Sequence, residues 1–204
     1  RLDRLSLDAA VFGSHYSNLI MDTVLIRGTG TAADPRIFQT INTERARITG
    51  FELKGQYDWG RVAGGRLATP FSYGKVHGVN RATGKPINSV DPAQLALGLQ
   101  YDTAAWGLRL DMRHHAAKTA KDIDSASSVK PPNTQFTVPS ATTLDVSAQW
   151  RLRKDLRLNL AVHNLSNRKY WLWPDVYGLA ASSSTNDAYT QPGRSVHLSV
   201  VMDF

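Results

Sequence analysis

The sequence of 204 residues contains no cysteine, which excludes disulfide bonds, cysteine metal ligands and cysteine nucleophiles. It also lacks any run of about 18 apolar residues, so a membrane-spanning helix is excluded. Acidic residues are outnumbered, with 17 Asp and Glu against 24 Lys and Arg, giving a net charge of +7. The basic residues are scattered over predicted strands and turns instead of forming one patch. We therefore expect no nucleic-acid partner.

Arrangements typical of enzymes are missing too. We find no nucleophile–base–acid set, no phosphate-binding loop and no metal-ligand spacing. The scattered Ser, His and Asp residues alternate along strands, as the polar groups of a water-filled barrel interior do. We predict that the protein is not an enzyme and holds no permanently bound cofactor or metal.

The sequence does contain strict alternation of apolar and polar residues, most clearly in its closing run, 193–204. A period of two is typical of a strand with one apolar face and one polar face. Two earlier stretches, 142–152 and 156–163, repeat the pattern. At the start of the chain an extended pattern runs from Leu5 to about Ile26, with a phase slip near Gly13 such as a β-bulge causes, and a second long strand runs from about Phe38 to Trp59. The apolar face of the closing strand comprises Val196, Leu198, Val200, Met202 and Phe204.

Two environments explain such a face: the core of a soluble β-sandwich, or the lipid around a transmembrane barrel with a wet lumen. The lengths of the predicted connections distinguish them. Because strands alternate in direction, all short turns fall at one end and all long loops at the other, as in outer-membrane barrels. The short turns are 60–64, 102–105 and 153–155; the long loops are 27–36, 78–91, 116–140 and 171–189.

Aromatic residues cluster at predicted strand ends, as interfacial girdles require. Several strands also exceed the length of about 5–6 residues that is usual in soluble sheets. We predict an all-β fold, a transmembrane antiparallel β-barrel of about eight strands. The clustered residues are Trp59, Tyr101 and Trp106 near the short turns, and Tyr170, Trp171, Trp173 and Tyr189 near the last loop.

Eight strands can close a small barrel by themselves. A complete eight-stranded barrel with a structural or adhesive role is therefore one alternative. The chain begins without an initiator Met or a signal peptide, almost inside a strand pattern. This start favours a piece of a longer polypeptide.

Three segments and the last residue resemble a known family, the TonB-dependent outer-membrane receptors, in the carboxy-terminal region of their barrel. Residues 42–53 resemble the strand that descends from an extracellular loop. Residues 162–170 are similar to the segment x-N-L-x-[DN]-[KR]-x-Y, with Ser166 in place of the usual Phe. The family-motif residues here are Asn164, Leu165 and Tyr170, then Gln191, Pro192, Gly193 and Arg194 at the opening of the last strand, and the terminal aromatic Phe204.

This resemblance implies the fold and the function. Residues 1–204 would be the carboxy-terminal portion of a plugged barrel of about 22 strands in the bacterial outer membrane. The plug domain, the earlier strands and the TonB-contacting segment would lie in an amino-terminal part outside this chain. Residues 170–179 and 187–194 resemble the haem/haemoglobin branch, which implies haem or a haem protein as partner and haem as transported ligand. A ferric-siderophore receptor is the nearest alternative.

Within that branch, His77 and His115 are weak candidate ligands of haem iron, because both lie near long-loop ends of strands and neutral imidazole binds iron. His115 also shares the polar phase of Arg109 and Asp111. The alternative is a solvated rim or lumen histidine. Trp171, Trp173 and Tyr177 are candidates for an apolar platform under a porphyrin or a globin, with an aromatic girdle and loop packing as the alternative.

Charged residues receive structural interpretations. Arg194 would help to close the extracellular loop against Asp175 or Asp187. The charged residues on the polar face of the predicted strands would pair with each other or with the plug. They are Arg109, Asp111, Asp145, Arg151 and Arg157.

Overall fold

Ten β-strands account for most of the structure, a computed structural model that describes residues 3–29, 31–43, 45–125, 129 and 133–203. The strands are β1 (Leu5–Tyr16), β2 (Leu19–Arg27), β3 (Ile37–Thr43), β4 (Ala46–Val62), β5 (Gly65–Asn80), β6 (Gln94–Asp102), β7 (Trp106–His115), β8 (Ala141–Arg153), β9 (Leu156–His163) and β10 (Ser195–Met202). Eight of them form one antiparallel sheet in the order β1-β4-β5-β6-β7-β8-β9-β10, and β2 pairs with β3. The predicted all-β, eight-stranded antiparallel arrangement is confirmed.

The helical segments are short and lie in the long connections. They are Ala120–Asp122, α1 (Trp173–Val176) and Asn186–Tyr189. Across the described ranges, no helix is both long enough and apolar enough to cross a membrane.

The two long strands predicted at the start of the chain are each divided in two. β1 ends at Tyr16 before β2 begins at Leu19, and β3 ends at Thr43 before β4 begins at Ala46. β1 pairs with β4 in the large sheet, whereas β2 pairs with β3. The second halves therefore form a hairpin beyond the sheet, at the end where the long connections lie.

The phase slip predicted near Gly13 is wrong. β1 pairs with β4 in one continuous register from Leu5 opposite Tyr57 to Tyr16 opposite Ala46. The ring of Phe12 lies on the otherwise polar face, where it fills the space that a Cβ on Gly50 would need. An apolar residue placed over a cross-strand glycine produced the apparent shift in the pattern.

Short turns join the strands at one end of the sheet, as the sequence predicts. The turn between β4 and β5 has Ala63 at φ 47° and Gly64 at φ 87°. Positive φ at both central residues is the type I′ geometry, whose twist matches that of antiparallel strands. The Tyr101 hydroxyl lies 2.9 Å from the Ala63 carbonyl oxygen and holds this turn against the next strand.

The aromatic girdle predicted at this end is also present. The rings of Tyr57 and Trp59 are 4.8 Å apart in an edge-on arrangement, and those of Tyr101 and Trp106 are 5.2 Å apart. The Trp59 Nε1 donates a hydrogen bond of 2.9 Å to the Thr69 hydroxyl. Each ring thus combines an apolar body with a polar tip, as an interface requires.

The apolar face of the sheet is exposed. Val196, Leu198 and Val200 are 64%, 67% and 64% exposed, and Val11 on the opposite edge strand is 81% exposed. The contacts between strands join neighbours within a sheet. In a soluble β-sandwich these side chains would pack against a second layer. The exposed face instead fits a sheet whose outer side meets lipid.

We expect Leu198→Arg to lower the free energy of unfolding by about 2–4 kcal/mol, because it places a charge in the middle of a strand on the lipid face. The neighbouring Ser199→Arg, on the opposite face, is the matched control and should change stability by about 0.5 kcal/mol or less. Urea unfolding of the full-length protein in lipid vesicles measures both. Equal losses would contradict the assignment of the two faces.

Candidate ligand-binding site

The polar face of the sheet, here called the inner face, holds a groove of about 600 Å³ near the long connections. Its lining includes acidic and basic side chains from several strands and from the loop after β5. Its charged and titratable members include Asp8, Glu52, Lys54, Asp91, Arg113 and His115.

Charged side chains of the inner face pair with one another. The Arg109 Nε donates to Asp111 at 2.6 Å. Asp145 lies 3.4 Å from the His163 Nδ1 and 3.8 Å from Arg113. The predicted pairing is therefore confirmed for Arg109 and Asp111. Such pairs keep charges solvated in a wet interior and contribute little to stability.

The two candidate histidines lie on opposite faces. His77 has the same phase as Phe71 and Tyr73, so it belongs to the outer, apolar face and is exposed. His115 ends β7 on the inner face at the groove, where it is half-buried. Its ring stacks on that of Tyr170 with centroids 6.0 Å apart and planes 23° apart. Of the two, His115 alone lines the groove.

The candidate aromatic platform is not one surface. Trp173 is 2% exposed and its Nε1 donates to the Asn88 carbonyl at 2.6 Å. Trp171 donates from its Nε1 to the Asn186 carbonyl at 2.8 Å. Both tryptophans pack within the loops, as the alternative interpretation predicted. The prediction that they belong to an aromatic girdle at this end is wrong. Tyr177 is 43% exposed and remains accessible.

The long connections bury an apolar core that the sequence did not predict. We call the described residues of 81–93, 116–140 and 164–194 the cap. The sequence analysis assigned these segments as long loops, and isolated apolar residues within them were the only signal of a core. The core comprises Ile123, Val138, Trp173 and Val176, with Phe136, Trp171 and Leu179 packed against it.

Two buried amides join the segments of the cap. The Asn88 Nδ2 donates to the Asp124 carbonyl at 2.9 Å, and the Asp124 N–H donates to the Asn88 Oδ1 at 2.7 Å. The Gln135 Nε2 donates to the Val176 carbonyl at 3.0 Å, and the Gly178 N–H donates to the Gln135 Oε1 at 3.0 Å. Each amide satisfies both kinds of buried backbone group, which loops without regular pairing otherwise leave unsatisfied.

A buried lysine adds a further link within the cap. Lys118 is 5% exposed, its Nζ donates to the Val90 carbonyl at 2.5 Å, and it lies 5.1 Å from the Trp173 ring centroid. Burial lowers the pKa of Lys118, while the charges of Asp122 and Asp91 partly offset this effect. The ammonium therefore fastens two segments of the cap to its central tryptophan.

The family motif at Asn164 has a structural explanation. Asn164 adopts φ 48° and is 5% exposed. Its Nδ2 donates to the carbonyls of Arg168 at 2.9 Å and Pro192 at 3.2 Å, and its Oδ1 accepts from the Arg168 N–H at 2.8 Å. Asn tolerates the left-handed region better than other side chains. Asn164 thus stabilises its own turn and connects it by a hydrogen bond to Pro192, at the other end of the last long connection.

Asn167 completes this connection. It adopts φ 51°, and its Oδ1 accepts from the Arg194 N–H at 2.9 Å. A Cβ on Gly193 would lie 2.7 Å from that oxygen, so a larger residue there would have to displace the Asn167 side chain. The Gln191 N–H donates to the Tyr170 carbonyl at 2.9 Å. Residues 164–170 and 191–194 together form what we call the loop clamp, at the base of the last long connection.

Other motif residues are placed as follows. The Leu165 N–H donates to the Leu144 carbonyl at 2.7 Å, and its side chain is 39% exposed. Phe204 lies outside the described residues.

The proposed acidic partners of Arg194 are engaged elsewhere. Asp175 accepts from the Gln191 Nε2 at 2.7 Å, and Asp187 pairs with Lys169 at 2.8 Å. Arg194 contributes to loop closure through its backbone N–H, not through either carboxylate.

Comparison with known proteins gives consistent matches. A family model described as TonB dependent receptor-like, beta-barrel matches residues 1–165. Hemoglobin and hemoglobin-haptoglobin-binding protein A of Haemophilus influenzae is 25% identical over 97% of this chain and 20% of its own length. Transferrin-binding protein A of Neisseria meningitidis serogroup B is 27% identical over 98% of this chain and 25% of its own length. The chain therefore spans a quarter or less of these relatives.

Solved structures share the fold over the whole chain. The copper transporter OprC superposes with a TM-score of 0.77 at 19% identity, covering 100% of this chain and 29% of that one. The ferric enterobactin receptor of Pseudomonas aeruginosa gives 0.68 at 20% identity, covering 100% of this chain and 29% of that one. At these identities the likeness concerns the fold alone.

We expect Asn164→Ala to destabilise the loop clamp by about 2–4 kcal/mol, because it removes three side-chain hydrogen bonds and places alanine at positive φ. Asn159→Ala on the adjacent strand is the same chemical change at a half-buried inner-face site and is the control. Limited proteolysis of the full-length protein, with cleavage mapped within residues 164–194, measures the effect. Equal protease resistance in the two variants would contradict the clamp.

We expect Trp173→Ala to loosen the whole cap, at a local cost of about 3–5 kcal/mol, since it empties the centre of its core. Amide hydrogen exchange should accelerate in 81–93 and 116–140 as well as around residue 173. Tyr189→Ala, an exposed aromatic in the same connection, is the control. Faster exchange confined to the residues beside Trp173 would show that the segments are independent.

Proposed function

Because this chain belongs to the TonB-dependent receptor β-barrel family of the bacterial outer membrane, we propose that the whole protein takes up haem from a haem protein. This chain supplies part of the barrel wall and the cap over its outer end. TonB acts through a part of the protein that lies outside this chain. The haemoglobin-binding names among its relatives support this ligand class.

The observation that carries the proposal is the position of His115. Its imidazole lines the groove at the end of β7, directly against Tyr170 of the loop clamp. Imidazole is a common ligand of haem iron. The Tyr170 hydroxyl is protonated at neutral pH, as tyrosines ordinarily are, and can donate a hydrogen bond. Burial raises its pKa further. Together the two rings offer a metal ligand, a flat apolar surface and a donor.

Tyr177 has a separate role in this proposal. It lies on the cap with 43% of its surface exposed, next to the buried Trp173 with ring centroids 5.7 Å apart. A tyrosine held from behind by a buried ring is a rigid, amphipathic contact, the kind that interfaces favour. The exposed ring would contact the protein that delivers the haem.

Uptake of iron in another form is the second candidate. Lys54 and Arg113 line the groove and would attract an anionic ferric siderophore. Iron-binding host proteins are a further variant, since the relatives include transferrin-binding and lactoferrin-binding proteins. These ligands lack a porphyrin, so a haem spectrum separates them from the first candidate.

We expect His115→Ala to weaken haem binding to the full-length receptor at least about tenfold, since loss of an iron ligand removes more than about 1.4 kcal/mol. The adjacent His114→Ala is the matched control, because His114 faces outward and its Nδ1 lies 2.8 Å from the Thr142 hydroxyl. Soret absorbance during titration with haem measures both.

Two results would contradict the proposal. An unchanged Soret titration in His115→Ala would remove His115 from the site while leaving haem as ligand. No Soret shift in the unmodified receptor, together with saturable binding of a ferric siderophore or of ferric transferrin, would replace haem by the second candidate.

A further inference from the structure

Two histidines lie side by side on the inner face, on the last two strands of the chain. We call His163 of β9 and His197 of β10 the histidine pair. Ser195 is opposite His163 and Ala161 is opposite His197, so the two histidines are diagonal neighbours across the ladder. Their ring centroids are 5.3 Å apart and their planes are 71° apart. Both side chains are exposed on the wet side of the sheet, and neither is used by the candidate haem site.

The separation of the two rings fits a single shared metal ion. In a zinc site the Zn–N bonds are about 2.0–2.1 Å long and tetrahedrally arranged, which places the centres of two bound imidazole rings roughly 5 Å apart. The rings of the histidine pair are already at that separation. Aromatic packing alone gives similar distances. The polar groups around the rings therefore decide between the two explanations.

A carboxylate beside His163 prepares its ring to bind a metal. The Asp145 Oδ2 lies 3.4 Å from the His163 Nδ1, and the Asp145 Oδ1 accepts from the Asn164 N–H at 2.8 Å, which fixes the orientation of the carboxylate. A negative charge at Nδ1 favours the tautomer that carries its proton there. The Nε2 lone pair is then available, and a carboxylate behind a metal-binding histidine is the usual arrangement. Arg113 shares the same carboxylate at 3.8 Å.

His197 has a polar neighbour and open space beside it. Its Nε2 lies 3.4 Å from the Ser195 hydroxyl, and among the described residues this is the hydrogen bond found for its ring, so Nδ1 can act as a ligand. Its cross-strand partner, Ala161, has a short side chain. The ring also borders a concavity of about 350 Å³ on the inner face. An ion and its bound waters therefore have room next to His197.

From this geometry we infer that the histidine pair binds Zn²⁺, or a chemically similar divalent transition-metal ion, as a bridge between β9 and β10. Imidazole nitrogen is a preferred ligand of such ions. Within the ranges that the structure describes, no group of three or more His, Asp or Glu side chains could hold a metal. Water would complete the coordination, and the ion would exchange with the solvent, unlike a permanently bound metal. The bridge would fasten the last strand to its neighbour.

The test is a calorimetric titration of the metal-free, full-length receptor in detergent with Zn²⁺. We expect His163→Ala and His197→Ala each to weaken binding at least about tenfold. The double variant should lose little more than either single variant, because both changes remove the same bridge. Asp145→Asn keeps an oxygen for the Asn164 N–H but removes the charge behind His163, so it should weaken binding about tenfold or more.

The matched control removes two histidines from the outer face, His15→Ala with His114→Ala. It should bind Zn²⁺ as the unmodified receptor does, and heat-modifiable gel migration verifies that every variant is folded. An equal loss in this control, or unchanged affinity in the double variant of the histidine pair, would overturn the inference. Mg²⁺ prefers oxygen ligands and should not compete with Zn²⁺. Competition at equal concentration would show that general attraction of cations, not imidazole, holds the ion, and would also overturn it.

A second measurement tests the bridge itself. An ion that binds the folded state stabilises it, so Zn²⁺ should raise the urea midpoint of unfolding of the unmodified receptor but not of the double variant. A rise of equal size in both proteins would place the ion elsewhere and overturn the bridge.

The inference is independent of the transported ligand, since the zinc titration contains no haem. The double variant of the histidine pair should give the same Soret titration with haem as the unmodified receptor. Loss of haem binding together with zinc binding would assign the two histidines to the haem site and overturn a separate metal bridge.

Discussion

Hydrogen bonding of the backbone in a medium without water is the constraint on which the structure depends. Hydrocarbon offers no partner to an N–H or a C=O group, so strands that cross it must pair along their whole length. β4 and β5 do so from Ala46 opposite Asn80 down to Val62 opposite Gly65. Because successive side chains alternate, the same pairing sends one set outward to lipid and the other inward to water. The exposed valines and leucines of β10 and the charged groove on the inner face both follow from this pairing of strands.

In the cap, buried backbone groups need hydrogen-bond partners too, but strand pairing does not supply them. The cap has little regular pairing, yet it buries backbone groups around Trp173 and Val176. The side chains of Asn88 and Gln135 supply these partners by forming hydrogen bonds to the backbone of distant segments. The loop clamp fixes the last of these segments, and through Tyr170 it sets the environment of His115. The candidate site therefore depends on a small loop core more than on the sheet beneath it.

The two faces also use charge differently. Several inner-face cations lie beside carboxylates, among them Lys54 beside Asp8 and Arg109 beside Asp111. On the outer face, Arg47, His77 and Lys75 occupy three successive rows of β4 and β5, and none of them has an ion-pair partner among the described residues. Water and ions reach the inner face, so its charged groups can remain ionised there.

Three features could be predicted from the residues alone, because each is a local property of neighbouring residues. They are the alternation of β10, the segregation of short turns from long connections and the aromatic residues at the short-turn end. The sequence also placed His115 on the inner face by its phase with Arg109 and Asp111. Two other features could be seen only in the folded chain: Trp173 is buried against Asn88, 85 residues away in the sequence, and β1 continues past Gly13 without a bulge. These outcomes depend on which segments meet after the sheet has formed. Periodicity within a strand carries no information about contacts between loops.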